Sequence, residues 1–583
     1  MKTNRNGKSL ATPQSVNGAI KSICDIMRRS NCAGALQYVP ELTWILFLRI
    51  LDERETREAE EAEALGIPFT PSLEAPYRWQ DWAAPDGAKR KELREGTSGA
   101  FFAFVNGVTD QEGRQHGLLP YLKGLKDRPN AAPRQKVISE IMSGVERTRI
   151  DTERNFQDVL DKVHEISAEA VDPTHVFTLS QVYEGLLLKM GEKGNDGGQF
   201  FTPREVIRAM VRAIDPKVGE TVYDPGCGTG GFLAQSYEYM SGQLGEGAMA
   251  EQIETLKRRT FYGREKENLI YPIALANLVL HGIDQPNLWH GNTLTGGETY
   301  GGLFQDAPAL FDVILTNPPF GGKEGKDAQT RFAYKTGATQ VLFLQHVMDS
   351  LRPGGRCGIV LDEGVLFRTN ETAFVKTKRK LLEECDLWCI VSLPGGVFTT
   401  AGAGVKTNLL FFTKGRPTER IWYYDLSDIK VGKKTPLTLA HFEAFFRLLP
   451  ERGESERSWI VDIAERKQKA AEQSDPLKRQ ARAREEEAAR WKDRLAELKK
   501  ADPCAEAKVA ETEEKVAELT REARELLTRA EAIDNAVYDL KAVNPNAKKD
   551  EDTRTPEELL NFIEAKGKEV AEALAALRRA GGI

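Results

Sequence analysis

The run Asp224-Pro225-Gly226-Cys227-Gly228-Thr229-Gly230-Gly231-Phe232 constrains this chain more than any other segment. It follows Thr221-Val222-Tyr223, which reads as a strand, and precedes a helical pattern over 233–240. Glycines at 226, 228 and 230 let the backbone turn tightly and approach a ligand without a Cβ in the way. The helix that follows offers unpaired amides at its N-terminus. The spacing is G-x-G-x-G rather than the dinucleotide G-x-G-x-x-G, although Gly231 sits close to the third position. Asp224, which opens the run, suits a cationic amino group better than a pyrophosphate. Alone, such a loop is also an ordinary structural turn.

Its surroundings make it part of a sheet. Between about 171 and 440, short apolar runs at 221–223, 261–263, 312–315, 357–361, 387–391 and 408–412 alternate with helical patterns such as 340–351 and 372–384. That texture predicts an α/β domain with a mostly parallel sheet. Residues 1–170 read as a helical N-terminal domain in which an apolar stretch, 42–51, runs into a charged one, 52–63. Beyond 441 the chain turns helical and highly charged. Val509, Val516, Ala523, Ala530 and Val537 recur every seven residues, as do Leu519, Leu526, Ile533 and Leu540. With Ala481, Ala488 and Leu495 upstream, this a/d spacing predicts a coiled-coil-like hairpin over 441–583. Two amphipathic helices lying on the core are the alternative.

Composition narrows the class. With 40% hydrophobic and 29% charged residues in 583, the chain reads as globular, and no apolar run approaches the ~18 residues of a membrane span. Seven cysteines without a C-x-x-C pair and only seven histidines exclude a zinc-finger framework and suggest a cytoplasmic protein. A net charge of −6 argues against coating nucleic acid by bulk charge, while leaving room for a local basic cleft.

Three further segments carry chemistry. Glu265 ends the second strand, where an acid can grip ribose hydroxyls. It lies 41 residues after Asp224, against ~20 in the usual fingerprint, an excess assigned to an extra helix over 248–259. A surface Glu paired with Arg264 or Lys266 is the other reading. Asn317-Pro318-Pro319-Phe320 follows the strand at 312–315. Two prolines cannot continue a sheet, so the Asn is held in a stiff turn. Its amide oxygen and the Pro318 carbonyl could both accept from one –NH2 group, and Phe320 offers a ring face to a planar base. Upstream, in Gln199-Phe200-Phe201-Thr202-Pro203-Arg204-Glu205, Thr202 reads as an N-cap, Pro203 as the first helical residue and Glu205 as closing a capping box.

In this order, Gln-Phe-Phe-Thr-Pro-Arg, Asp-Pro-Gly-Cys-Gly-Thr-Gly-Gly-Phe and Asn-Pro-Pro-Phe resemble the modification subunit of type I restriction–modification systems. Those are S-adenosylmethionine-dependent DNA adenine-N6 methyltransferases, and the likeness covers the layout of roughly 15–440. It implies a Rossmann-like α/β methyltransferase core, a seven-stranded sheet, with a helical N-terminal domain and C-terminal helices. It implies that Gln199, Phe200, Phe201, Thr202, Pro203, Arg204, Asp224, Gly226, Gly228, Thr229, Gly230 and Glu265 contact S-adenosylmethionine. Asn317, Pro318, Pro319 and Phe320 would be catalytic, with no metal. Implied partners are DNA, a specificity subunit, a second copy of this chain and, beside them, a restriction (nuclease/translocase) subunit.

Direct methyl transfer fits these residues, the target base flipping out of the duplex to reach the turn. Cytosine-C5 chemistry needs a cysteine nucleophile, usually after proline, and the only Pro-Cys here, Pro503-Cys504, lies in the tail. No G-x-x-x-x-G-K-[ST] loop appears, so the chain is not expected to be the translocating nuclease itself. RNA or a protein glutamine amide would also suit Asn-Pro-Pro. Lys323, Lys326, Arg331 and Lys335 place four cations within thirteen residues beside the expected site, either near DNA phosphates or on a solvated loop.

Overall fold

The computed structural model describes residues 13–165 and 202–581, apart from 31, 33–34, 246–247, 297, 303–306, 399–405, 433–434, 502–505, 542 and 547–554. Gln199, Phe200 and Phe201 therefore lie outside the described residues. The N-terminal part is helical, with helices at Pro13–Arg28, Ala35–Ala64, Pro133–Met142 and Glu153–His164 among others, and one two-stranded hairpin at Val108–Thr109 and Gln115–His116. The apolar and charged stretches at 42–63 form one helix; Leu42, Trp44 to Leu48 and Leu51 are buried, together with Trp79, Trp82 and Phe156.

Among the described residues the central sheet has ten strands: β1 (Val222–Asp224), β2 (Phe261–Glu265), β3 (Asn287–Gly291), β4 (Glu298–Gly302), β5 (Phe311–Thr316), β6 (Leu351–Asp362), β7 (Cys385–Ser392), β8 (Thr407–Lys414), β9 (Arg420–Asp425) and β10 (Ser458–Asp462). Their spatial order is β10-β9-β7-β8-β6-β5-β1-β2-β3-β4. The pairs β1–β2, β2–β3, β1–β5, β5–β6 and β7–β9 are parallel. Strand β8 runs antiparallel between β6 and β7, as do β4 beside β3 and β10 beside β9. The sheet is thus mixed rather than mostly parallel. It exceeds the expected seven strands because β4 extends one edge and β9 with β10 extend the other.

The expected division at 440 falls inside this sheet, since β10 pairs with β9 over Ser458 to Asp462. The helix Ile463–Ala501 then leaves the sheet edge directly, and Glu506–Ala536 returns along it. The pairs Lys478–Asp534 (2.8 Å), Arg484–Glu522 (3.0 Å) and Lys499–Glu513 (2.7 Å) fix an antiparallel hairpin. Its seam buries Ala481, Ala488, Leu519, Ala523 and Ala530, as heptad spacing requires. At its root Val537, Tyr538 and Leu540 join the core, with Leu540 N–H donating to the Leu366 carbonyl at 3.1 Å.

The helical part is tied to the sheet layer by charge. Asp284 Oδ1 accepts from Arg54 Nη2 at 2.7 Å and from Arg134 Nη2 at 3.0 Å, while Arg134 Nη1 reaches Glu58 at 2.7 Å. No helix among the described residues is long and apolar enough to cross a membrane.

Candidate active site

Strand β1 has β2 on one side and β5 on the other, and the chain leads away in opposite directions from this point. Loops at the carboxyl ends of diverging strands leave a crevice there, the usual ligand position in open α/β sheets. A cavity of about 220 Å³ opens at that place. It is lined by the glycine loop, by Glu265, by the loop after β3 and by Asn317, Pro319 and Phe320.

The glycine loop is held by two carboxylates. Asp224 is 1% exposed and its Oδ1 accepts from Gly226 N at 3.1 Å. Glu265, 7% exposed, accepts from Gly228 N at 2.9 Å and from Glu267 N at 2.8 Å. Burial pushes both acids up to about 7. This is not a surface glutamate. Gly228 and Gly230 have φ of 52° and 79°, left-handed conformations that a side chain disfavours. Gly230 caps the helix Gly231–Ser241, and a Cβ there would meet Leu278 at 3.2 Å, so this glycine serves packing rather than the cavity wall.

At the other wall, Asn317 Nδ2 donates to Thr202 Oγ1 at 3.0 Å. Its Oδ1 is buried and has no hydrogen-bond partner among the described residues. A buried acceptor left open costs free energy, so each such group calls for an explanation, and here the atom stands beside the cavity. The Pro318 carbonyl accepts from Gln340 Nε2 at 3.4 Å, and Pro318 itself stays out of the cavity lining. Phe320 lines the cavity and meets Phe398 edge-on, centroids 5.4 Å apart at 76°.

The expected capping box is not formed. The helix Arg204–Ile214 begins with Pro203 at the N-cap and no side-chain cap bond. Thr202, instead of capping, turns its hydroxyl to Asn317, and Glu205 accepts from Leu439 N at 3.0 Å and pairs with Arg208. Pro203 and Arg204 open the helix outside the cavity lining. The loop after β3 was not singled out by sequence: Asn292, Thr293 and Leu294 line the cavity, and Thr293 Oγ1 donates to the Pro225 carbonyl at 2.5 Å. Its signal is a polar pair, Asn292-Thr293, at a strand end. Lys323, Lys326, Arg331 and Lys335 are all exposed on a folded segment, in which Lys326–Gln329 is helical and Glu324 N donates to the Gly337 carbonyl at 2.9 Å.

The family model for N-6 DNA methylases matches residues 175–488, more than half of the chain. The chain belongs to the N-6 DNA methylase family. The HsdM N-terminal domain model also matches residues 16–114. Over 465 residues the chain is 36% identical to the type I restriction enzyme EcoEI methylase subunit of Escherichia coli, covering 77% of this chain and 87% of that one. A modification subunit of a putative type I restriction enzyme from Vibrio vulnificus superposes with a TM-score of 0.67 at 33% identity, covering 79% and 94% of the two chains. A chain from the structural work on assembly and conformational transition of the type I R-M system covers 98% of each, with a TM-score of 0.61 and 33% identity. This N-6 DNA methylase is a methyltransferase acting on adenine N6 in DNA, the methylase subunit of a type I restriction–modification system.

Proposed function

We propose that this methylase holds the target adenine amine at the Asn317–Pro318 turn and S-adenosylmethionine in the cavity over the glycine loop. The observation that carries the reading is Asn317 Oδ1, a buried acceptor beside that cavity without a partner among the described residues. The cofactor fits the residues present: Asp224 and Glu265, buried at adjacent strand ends, suit an amino group and hydroxyls, and the left-handed Gly228 keeps the floor free of side chain. When bound, S-adenosylmethionine supplies an electrophilic methyl group on a sulfonium sulfur.

The chain's own residues supply orientation and electrostatics. An adenine amine conjugates its lone pair into the ring and is a poor nucleophile. Asn317 Oδ1 and the second lone pair of the Pro318 carbonyl accept its two N–H groups, drawing the nitrogen towards a tetrahedral shape and freeing the lone pair. The base reaches the turn by leaving the stack, and Phe320 replaces lost stacking. Pro319 stiffens the turn.

The same reading assigns DNA phosphates to Lys323, Lys326, Arg331 and Lys335, and the hairpin of Ile463–Ala501 and Glu506–Ala536 to a specificity subunit. A second copy of this chain and a restriction subunit complete the cytoplasmic assembly. Sequencing of modified bases in cells with and without the chain is the test. N6-methyladenine at one defined sequence, lost in Asn317→Ala, is the expected result; an unchanged methylation pattern would refute it.

A further inference from the structure

We infer that Gln340 is a positioning residue for methyl transfer, the side chain that fixes the Asn317–Pro318 turn against the sheet. The inference rests on the reading of that turn just given. Gln340 lies in the first turn of the helix Thr339–Ser350 and is 3% exposed. Its Oε1 accepts from Asp362 N at 3.1 Å, and its Nε2 faces the Pro318 carbonyl at 3.4 Å. A backbone N–H can only donate, so the amide oxygen must lie at Asp362 and the –NH2 at Pro318. The orientation follows from chemistry alone.

These two contacts join the ends of neighbouring parallel strands. Pro318 stands just beyond β5, and Asp362 is the last residue of β6. The turn cannot secure itself, because neither Pro318 nor Pro319 has an N–H to donate. Asp362 makes a firm anchor: its Oδ1 caps the next helix at Val365 N, 3.0 Å away, and Leu366 of that helix accepts from Leu540 N and from the buried Lys378 Nζ. Thr202 holds the Asn317 side chain, and Gln340 holds the Pro318 carbonyl. A carbonyl has two lone pairs, so the long bond from Nε2 leaves one for the amine. Only a side chain carrying donor and acceptor on a stem of this length serves both contacts. Glutamate would set an oxygen against the Pro318 oxygen; methionine would serve neither.

The test is single-turnover transfer of a tritiated methyl group from S-adenosylmethionine to DNA from cells lacking this modification. The enzyme is used assembled with its specificity subunit, as Gln340→Met, Gln340→Glu and the unaltered chain. Gln340→Met is expected to lose about tenfold in rate, the scale of one lost buried hydrogen bond, with cofactor and DNA affinities within about twofold. Gln340→Glu carries a titratable copy of the amide. Protonated, it can donate to Pro318 and accept from Asp362; ionised, it cannot donate. Its rate relative to the unaltered chain should therefore recover as pH falls, while that of Gln340→Met stays flat. Asp362 with Arg368, Glu363 with Lys406 and Lys541, and Glu324 at Thr339 are charged groups near this contact, and the two ratios cancel their own titration. Thermal melting at each pH corrects for the folded fraction. A Gln340→Met rate within twofold of the unaltered enzyme, or a Gln340→Glu ratio that ignores pH, overturns the inference. Asn317→Ala in the same assay separates the two levels. Retained activity there removes the turn's role and this inference with it; lost activity beside normal Gln340 variants overturns the positioning alone.

Discussion

Truncating Asn317 to alanine should separate chemistry from cofactor binding. The side chain has two functions at its two ends, an open Oδ1 and an Nδ2 bonded to Thr202 at 3.0 Å. Losing a preorganised partner of the reacting group in a water-poor site costs about 10²–10³ in rate, or ~2.7–4 kcal/mol. The Pro318 carbonyl survives the change, so the lower end applies. Losing the Thr202 bond costs stability about 1 kcal/mol, the net worth of a neutral hydrogen bond. Cofactor affinity should stay within about twofold, because the glycine loop hangs on Asp224 and Glu265 and shares no hydrogen bond with Asn317. Asn317→Asp keeps an acceptor and should fall between. Single-turnover methyl transfer in the assembled enzyme gives the rate, and calorimetric titration with S-adenosylmethionine gives the affinity. An affinity that falls in step with the rate would place Asn317 among the cofactor's partners. A rate loss under about tenfold would show that the turn does not hold the amine.

Further outcomes are expected. Gly228→Val, at φ 52°, forces a β-branched residue into a left-handed conformation costing ~1–2 kcal/mol, and calorimetry on the folded variant should find cofactor binding weakened. Asp224 and Glu265, raised to about 7 by burial, should make affinity for a cationic ligand rise as pH goes from about 6 to 7.5, an increase that Asp224→Asn reduces. The sign for stability is opposite: an acid whose folded pKa is raised stabilises the unliganded fold most below its ordinary value and loses that contribution as pH climbs through about 7, so melting without ligand should fall between pH 5 and 8. Neutralising Lys323, Lys326, Arg331 and Lys335 should flatten the salt dependence of DNA binding by ~0.9 per lost phosphate contact, and an unchanged slope would return them to a solvated surface. Excising 485–528 behind a short turn should abolish assembly with the specificity subunit while leaving melting nearly unchanged; a cut at 470 would instead strip Val537, Tyr538 and Leu540 from the core.

The motifs were legible because each combines backbone constraint with a polar group. Glycines after a strand, prolines after a strand and an acid at a strand end leave few foldable alternatives. Strand β9 was not among the expected strands although Ile421-Trp422-Tyr423-Tyr424, all buried, carries a signal. Strand β3 does not: Asn287 and His290 are buried in it, and Asn287 Nδ2 donates to the Arg258 and Phe261 carbonyls, partners that composition cannot reveal. The same limit hid the loop after β3 and Gln340, whose importance lies in backbone groups brought near by the fold. Thr202 misled for a related reason. Its spacing to Glu205 is right for a helix cap, but the hydroxyl found a better partner 115 residues away.

The helix that leaves β10 is 39 residues long, about 58 Å at 1.5 Å per residue. It grows out of the sheet edge without a joint, Ile463 N donating to the Glu419 carbonyl at 2.8 Å, and its returning partner is bonded back at Leu540. Mechanically this is a cantilever clamped at both feet. Seven residues inserted in each helix keep the seam in phase and lengthen its reach by about 10.5 Å per step. Such a beam lets the far end be respaced without disturbing the chemistry at its base.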